Sequence, residues 1–210
     1  TYPMDIYNTR LDRGNLGGTR KHRFLLTGQY QLPFGNGRRF GNHLPWAANL
    51  LLGGWNLSTI TLLQSGPLLT PTISANLDHS NTNMSARGVR SRPNRIASGY
   101  PVHQTADQYF DISAFTATPT GCGCFGNSGV GILEGPGTIA VAAGLGKTFA
   151  ITERLRLRLE GTITNLPNHP NFAAPAVVVS TPSSFGKLTS VQGQENSGNR
   201  TGQVAARFDF

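Results

Sequence analysis

Five stretches of the chain alternate apolar and polar side chains with a period of two, the spacing that places successive residues on opposite faces of a β-strand. The clearest is 152–164, TERLRLRLEGTIT, in which leucines at 155, 157 and 159 alternate with arginines. A helix would scatter these leucines around its circumference, so the pattern predicts a strand with one apolar and one charged face. The same alternation predicts strands at 23–32, 55–63, 138–149 and 201–210, and 185–192 is a short sixth candidate.

Two of these strands differ from the simple pattern. In 138–149 the face opposite the apolar one carries only small side chains: Ala140, Ala142, Gly144, Gly146 and Thr148. Stretch 55–63 is apolar on both faces, so its alternation is less clean. No helical pattern competes with the strands anywhere along the chain.

Proline, glycine and asparagine fill the segments between the strands, as turn chemistry predicts. QLPFGNGRRFGN, at 31–42, is predicted to be a loop, and Asn165, Asn168 and Asn171 are predicted to build a tight turn around two prolines through their side-chain hydrogen bonds. The longest gap runs from about residue 70 to 137 and is rich in Asn, Ser, Thr, Pro and Gly. A loop of that length is unusual in a compact soluble domain, whereas it is ordinary as an outer loop of a membrane barrel.

Composition narrows the fold class. Of 210 residues, 26 are Gly and only 13% are charged, about half the usual ~25% for soluble domains, which argues against a coiled coil or a helical bundle. The apolar fraction of 38%, with 11 Phe, argues against full disorder. No apolar run is long enough for a transmembrane helix, and no signal peptide follows Thr1. We therefore expect either a processed chain or a piece of a longer one.

The alternation fits either a soluble β-sandwich with apolar faces inward or a barrel with apolar faces toward lipid. Three features favour the barrel. Aromatic residues lie near strand ends, Arg and Gln on the polar faces suit a water-filled lumen, and the chain ends on an aromatic residue. The aromatic residues in question are Phe24, Tyr30, Phe149, Phe208 and Phe210.

Few residues in the sequence indicate a catalytic, metal-binding or phosphate-binding site. Cys122 and Cys124 are too few for a disulfide framework or a structural zinc site, and they are either two loop thiols or one local disulfide. The five histidines lack metal-ligand spacing, no serine lies in a nucleophile motif, and the glycine clusters do not match a phosphate-binding loop. We therefore predict a protein that is not an enzyme and has no cofactor or metal.

Four arginines lie close together in ARGVRSRPNR: Arg87, Arg90, Arg92 and Arg95. Guanidinium groups match phosphate and carboxylate oxygens, so in an outer loop this cluster is a candidate contact for lipopolysaccharide or an anionic ligand. The alternatives are a solvated loop or internal salt bridges. A nucleic-acid partner is disfavoured, because no recognised binding motif accompanies the charge.

Several segments, in their order and spacing, resemble the C-terminal part of an Oar-like TonB-dependent receptor, an outer-membrane β-barrel family of Gram-negative bacteria. The segments are GGWNLSTITLLQSGPLLTP, RPNRI, YFDISAFTATP, FGNSGVGILEGPG, ERLRLRLEGTITNLPNHPNF, SSFGKLTS and the final ARFDF. The resemblance implies antiparallel amphipathic strands from a barrel of about 22 strands with long Gly/Pro/Asn-rich loops. Phe208 and Phe210 resemble the C-terminal signal read by the barrel-assembly machinery; the alternative is an ordinary last strand.

The chain departs from the family pattern at Leu166, where phenylalanine is usual, and at IAVAAGLGKTF, where the family usually has aromatic and acidic residues. We find no plug domain and no TonB box in these 210 residues, which read as one C-terminal barrel segment. A full parent would import a siderophore, oligosaccharide or peptide across the outer membrane, with energy passed from TonB through the plug. The expected partners are outer-membrane lipid, lipopolysaccharide and TonB.

Too few strands are predicted to reproduce the parent barrel, and an open sheet edge leaves backbone groups unpaired. The segment can close as a smaller barrel, refold, or pair edge to edge with copies of itself. The main functional hypothesis is the wall and outer loops of a TonB-dependent transporter in the bacterial outer membrane. The alternative is a processed fragment that assembles through its β-edges into an extracellular filament or tube, and a third is a soluble β-sandwich adhesin.

Overall fold

The computed structural model of the protein describes residues 3–82, 91–193 and 198–210. The fold is mainly antiparallel β, as the sequence predicts, and it divides into two compact units. The loop unit comprises Thr1–His22, Gln64–Gly137 and Phe172–Val191; the sheet unit comprises Arg23–Leu63, Thr138–Asn171 and Gln192–Phe210. The strands in chain order are β1 (Arg23–Gln31), β2 (Trp55–Gln64), β3 (Leu68–Leu69), β4 (Asn94–Arg95), β5 (Phe115–Thr116), β6 (Leu133–Glu134), β7 (Thr138–Ala150), β8 (Arg156–Thr164) and β9 (Thr201–Asp209).

The sheet unit is built on a five-stranded sheet in the order β1-β2-β7-β8-β9. Strands β7, β8 and β9 are antiparallel, with Phe149 opposite Leu157 and Leu157 opposite Phe208. Strands β1 and β2 also run in opposite directions, because Leu32 N–H donates to Trp55 O at one end (2.9 Å) and Ser65 N–H donates to His22 O at the other (3.0 Å). In the described part of the chain this sheet ends at β1 and β9, which are its two edges.

The two ends of this sheet carry different connections. Residues 151–155 form a short turn between β7 and β8, in which the N–H groups of Ile151 and Thr152 both donate to Leu155 O. The long connections, 65–137 and 165–200, join strands at the opposite end. The β1–β2 connection, 32–54, also lies at the first end. We call the first end the turn end and the second the loop end. The two longest connections therefore share one end of the sheet, as the long loops of an outer-membrane barrel do.

The five long predicted strands are all present, with bounds that shift by a few residues. The largest shift is at β8, which begins at Arg156 rather than 152 because the preceding residues form the turn. The sixth candidate, 185–192, was wrong. Phe185 and Val191 make only isolated bridges, to Ala176 and Phe172, because this segment packs into the loop unit rather than joining the sheet.

The predicted strands contain no helix, but a connection between two of them does. One short α-helix, α1 (Trp46–Leu52, WAANLLL), lies in the β1–β2 connection. Pro45 precedes its first residue, where a missing N–H costs no helical hydrogen bond, and alanine and leucine are strong helix formers. Seven residues are too few to show helical periodicity in the sequence. None of the helices in the described residues is long and apolar enough to cross a membrane.

The loop unit has its own hydrophobic core. Its buried side chains are Phe110, Ala114, Phe115, Leu133 and Phe185. The Phe110 ring makes edge contacts with Tyr100 and Tyr109, with centroids 5.6 and 5.1 Å apart. Two small antiparallel pairs, β3 with β6 and β4 with β5, frame this core. The long gap in the strand pattern is therefore a folded unit.

The asparagine-rich turn after β8 is confirmed. Asn165 Nδ2 donates to His169 O (2.9 Å), and His169 N–H donates back to Asn165 Oδ1 (3.0 Å). Asn165 and Asn168 both have positive φ, 49° and 55°, a region that asparagine tolerates better than most residues. Asn171, fully buried, pairs with both backbone groups of Ile139 at 2.9 Å. The side chains of Asn165 and Asn171 therefore fix the path of the chain out of β8, and Asn168 contributes through its backbone conformation.

Candidate functional site

The two faces of the five-stranded sheet differ in chemistry. Register places Leu145 opposite Gly161 and Gly161 opposite Val204, and it places Gly146 opposite Glu160 and Glu160 opposite Ala205. Side chains alternate between the two faces along each strand. The residues in register with Leu145, Gly161 and Val204 therefore share the apolar face, and those in register with Gly146, Glu160 and Ala205 share the polar face. Ile60 lies on the polar face beside Ser58, which agrees with the less clean alternation of β2.

The polar face holds a trough made of two adjoining hollows of about 530 and 490 Å³. Small residues on β7 leave room for it, since Ala142, Gly144 and Gly146 lie on this face of the middle strand. A Cβ on Gly144 would come within 2.6 Å of Ser58 Oγ. The small-residue face predicted for this strand therefore forms the floor of the trough.

Hydrogen-bonding side chains line the trough. Arg158 Nη2 and Glu160 Oε2 form an ion pair at 3.0 Å, and both side chains keep part of their surface exposed. Gln31 Oε1 accepts a hydrogen bond from Arg38 Nη2 at 2.9 Å. The polar lining residues are Gln29, Gln31, Asn56, Ser58, Thr148, Arg158, Glu160 and Thr162. Such a surface offers amide, hydroxyl and charged groups to water or to a polar solute.

No nucleophile–base pair is evident in the trough, and among the described residues no three His, Cys, Asp or Glu side chains gather in a group that could hold a metal ion. The chemistry that the trough can perform is reversible hydrogen bonding and ion pairing. Sequence reasoning placed Arg and Gln on a lumen face but missed the trough itself. The run of small residues on β7 is the signal that could have located it.

Every strand of the sheet has exposed apolar side chains on the apolar face, although Leu157 and Leu159 on β8 are only partly exposed. Phe24, Leu26 and Tyr30 on β1 are each more than 50% exposed, and Val204 on β9 is 89% exposed. Isolated exposed apolar residues are ordinary, but exposed apolar residues on one face of five adjacent strands indicate contact with lipid or with another protein. Strands of 9 to 13 residues are long enough to cross a bilayer when tilted.

An aromatic row marks the turn end of the apolar face. Phe149 and Phe208 flank Leu157 in register, and Tyr30 and Trp55 lie at the corresponding ends of β1 and β2. Phe210 follows β9 and is fully exposed. Aromatic girdles occupy this position in outer-membrane barrels because amphipathic rings favour the headgroup region. The structure thus places Phe208 and Phe210 in an aromatic row; their role as an assembly signal stays a prediction.

Lys147 lies on the apolar face, opposite Leu159, and sequence reasoning overlooked it. Its side chain is almost completely buried, and its Nζ donates to the backbone oxygen of Leu50 in α1. The ammonium also lies 5.6 Å from the centre of the Trp55 ring and 4.9 Å from that of Phe149. A carbonyl oxygen and two ring faces compensate part of the cost of removing this charge from water.

Two of the four candidate arginines, Arg92 and Arg95, lie in the described residues, and they have different surroundings. Arg87 and Arg90 lie outside the described residues. Arg92 is 6% exposed, and its guanidinium donates to Asp12 Oδ1 (2.8 Å) and Leu11 O (2.7 Å), the internal salt bridge that the sequence left as an alternative. Arg95 is exposed and donates to Ala97 O and Ser98 O. Of the two described arginines, Arg95 is therefore the one presented to solvent.

Cys122 and Cys124 are joined by a disulfide, which resolves the alternatives of two thiols and one local bond. The pair lies in an exposed loop of the loop unit. Disulfides persist in oxidising compartments, which include the bacterial periplasm and the cell surface.

Comparison with known proteins agrees with this geometry. A protein-family model described as "Outer membrane beta barrel domain" matches residues 1–203. No curated protein and no solved structure gave a match. The family match spans almost the whole chain, including both the sheet and the long connections. The chain therefore belongs to the outer membrane beta-barrel domain family.

Proposed function

We propose that this chain forms part of the wall and the outer loops of a TonB-dependent outer-membrane transporter for a scarce solute. The observation that carries the proposal is the opposition of the two sheet faces: exposed apolar side chains on one, a polar trough of small and hydrogen-bonding residues on the other. A barrel with lipid outside and water inside requires this opposition. The finer assignment to TonB-dependent import draws on the motif resemblance.

The trough suits a passing polar solute better than a tightly held ligand. Its lining provides amide, hydroxyl and paired charged groups spread over four strands, without a deep apolar pocket. Weak, distributed hydrogen bonds allow entry and release, which transport requires. Siderophores, oligosaccharides and peptides all carry hydrogen-bonding groups that this surface can meet. Arg95, exposed in the loop unit, is the candidate contact for lipopolysaccharide phosphates or an anionic solute.

The orientation of the sheet in the membrane is tested with two neighbouring residues on β9. Gln203 lies on the polar face, opposite Thr162, and Val204 lies on the apolar face, opposite Gly161. In a background where Trp46 and Trp55 are phenylalanine, Val204→Trp and Gln203→Trp each report one face. In vesicles with brominated lipid chains, we expect strong quenching of Val204→Trp and weak quenching of Gln203→Trp. Equal quenching of the two, or none, contradicts the proposal.

The transport step needs a separate test in cells. Deleting the gene should reduce uptake of one labelled cargo class, from a ferric siderophore, an oligosaccharide and an oligopeptide. Removing TonB from the same strain should reduce that uptake to the same extent, and the double deletion should add nothing. Uptake that depends on this protein but not on TonB would retain the barrel and reject TonB-dependent import.

A second candidate function rests on the open edges at β1 and β9. Edge strands present unpaired N–H and C=O groups, which can pair with another copy of the chain. Such pairing would give an extracellular filament or tube. Electron microscopy of the purified protein distinguishes the two functions. Detergent-dependent single particles support the membrane wall, and regular filaments formed without detergent support the structural role.

A further inference from the structure

The β1–β2 connection carries an exposed apolar patch at the turn end of the sheet. In α1, Trp46, Leu51 and Leu52 are 78%, 68% and 57% exposed, and Phe34 and Phe40 beside it are about half exposed. We call residues 32–54 the turn-end patch. A helix that shows its leucines and tryptophan to water would be unstable, and a patch of this kind usually contacts a membrane or a partner.

The turn-end patch is attached to the apolar face of the sheet. Trp55 Nε1 donates to Leu51 O at 2.8 Å, and Lys147 Nζ donates to Leu50 O. Both donors belong to the aromatic end of the apolar face, so α1 continues the surface that the proposed function assigns to lipid. The helix also covers the ammonium group of Lys147, which would otherwise face hydrocarbon.

Internal hydrogen bonds hold the patch in one conformation. Asn49 Oδ1 accepts from Asn36 N–H (2.8 Å), and Asn36 Oδ1 accepts from Leu44 N–H (3.0 Å). The rings of Phe34 and Phe40 lie 5.7 Å apart. Because these bonds order the segment before any partner binds, little conformational entropy remains to be lost on binding.

Charge indicates what the patch contacts. Residues 32–54 contain Arg38, Arg39 and His43 but no Asp or Glu. Both arginines are exposed, and the Arg39 guanidinium lies 5.6 Å from the centre of the Phe40 ring. Exposed leucine and tryptophan beside arginine is the composition of segments that lie in the interface of an anionic membrane.

We propose that the turn-end patch is an interfacial anchor whose apolar side chains enter the bilayer at the turn end while Arg39 binds anionic phospholipid headgroups. Arg38 is not assigned this role, because its guanidinium donates to Gln31 on the polar face. The inference rests on the proposed function, because it needs the apolar face to be in lipid. The inference adds to the proposed function a binding surface for anionic phospholipids. In an outer-membrane barrel the short turns face the periplasm, so the anchor contacts the phospholipid leaflet there.

Trp46 itself reports on the anchor. Trp55 is left in place, because its indole N–H attaches the patch to the sheet, and the emission of Trp46 is obtained as the difference between the unsubstituted protein and Trp46→Phe. In vesicles of brominated phosphatidylcholine, we expect the Trp46 emission to be blue-shifted and quenched most strongly by bromines close to the headgroup. Val204→Trp in the background without native tryptophan serves as the reference for the sheet. If Val204→Trp is quenched and Trp46 is not, the anchor is rejected and the proposed function stands; if neither is quenched, both are rejected.

The headgroup contact is tested in zwitterionic detergent micelles by titrating a short-chain phosphatidylglycerol and following Trp46 emission. Arg39→Gln should weaken the apparent affinity by roughly fivefold, with the loss shrinking at high salt. Arg13→Gln, at an exposed arginine of the loop unit, is the charge-matched control and should change little. An equal effect of the two variants, or no effect of Arg39→Gln, overturns the specific headgroup contact.

Discussion

The sheet unit and the loop unit use apolar residues in opposite ways. In the loop unit, Phe110 and Leu133 are buried against other side chains of the same unit. In the sheet unit, Leu26, Val204 and Phe208 are exposed, and Gly161 and Leu157, which lie opposite Val204 and Phe208, are partly exposed. The loop unit therefore has a core of the kind that stabilises a domain in water, whereas the sheet unit needs lipid or another protein on its apolar face.

This difference predicts unlike effects for the same substitution in the two units. Phe110→Ala removes a ring that is 1% exposed and leaves a cavity, so we expect it to lower the free energy of unfolding of the loop unit by about 3–5 kcal/mol. Phe208→Ala removes a ring that is 57% exposed and leaves no cavity, so its effect should be far smaller. Hydrogen exchange of the refolded protein, read separately for the segments of each unit, measures both. Equal losses would show that the units do not differ in this way.

A charge placed on each face of the sheet should give the next largest effect. Val204→Arg puts a guanidinium near the middle of β9 on the apolar face, and in a bilayer we expect a loss of about 2–4 kcal/mol in the free energy of unfolding. Gln203→Arg, one residue earlier on the polar face, should cost little. Urea titration of the protein refolded into phospholipid vesicles compares the two variants. If Gln203→Arg proves the more costly, the assignment of the faces is inverted.

The turn after β8 gives a smaller effect that depends on one side chain. Asn165 is 1% exposed and exchanges hydrogen bonds with both backbone groups of His169. Asn165→Ala leaves those groups unpaired, so we expect a loss of about 1–3 kcal/mol in the free energy of unfolding. Asn168→Gly is the control: its side chain is exposed and glycine accepts its positive φ. Thermal unfolding in detergent ranks the two variants, and an Asn165→Ala that is no more harmful than Asn168→Gly would show that the side-chain hydrogen bonds of Asn165 do not hold the turn.

The sequence was sufficient for features that depend on alternation. Leu155, Leu157 and Leu159 alternate with arginines, and β8 has the faces that this spacing requires. The same alternation places the small residues of β7 on one face without any information on the neighbouring strands. Period-two patterns are local, because the pleat of a strand alone decides which face a side chain takes. The two faces of a strand can therefore be predicted without knowing which other segments pack against it.

Features that depend on distant partners could not be predicted in this way. The core of the loop unit joins Phe110, Leu133 and Phe185, which are far apart in sequence and share no period. Arg92 appeared to belong to a cationic cluster, but Asp12, from the N-terminal segment, pairs with it. Lys147 interrupts an apolar face, and only the position of α1 explains how its charge is accommodated. The trough likewise requires β1, β2, β7 and β8 to lie side by side, an order that the strand patterns alone do not specify.

The smallest predicted effect is a pH dependence in the loop unit. Burial raises the pKa of the Tyr109 phenol above its ordinary value of 10.0, and nearby Tyr100 and Glu134 add to the shift. Folding therefore favours the neutral phenol. The contribution of Tyr109 to stability is fully present below pH 10.0, and it is lost as the pH rises from there through the raised pKa of the folded state. Tyr109→Phe retains the ring against Phe110 and removes the titrating group.

Hydrogen exchange or urea unfolding at about pH 9 and pH 11 measures this effect, because the two values bracket the ordinary tyrosine range. The loop unit of the unsubstituted protein should lose more stability between these values than that of Tyr109→Phe. Tyr7→Phe, at a side chain that is 94% exposed, should behave like the unsubstituted protein, because its ring is surrounded by water in both states. An identical loss in all three proteins would mean that Tyr109 is as well hydrated in the folded loop unit as Tyr7, and the contrast drawn between a buried loop core and an exposed sheet face would weaken at this position.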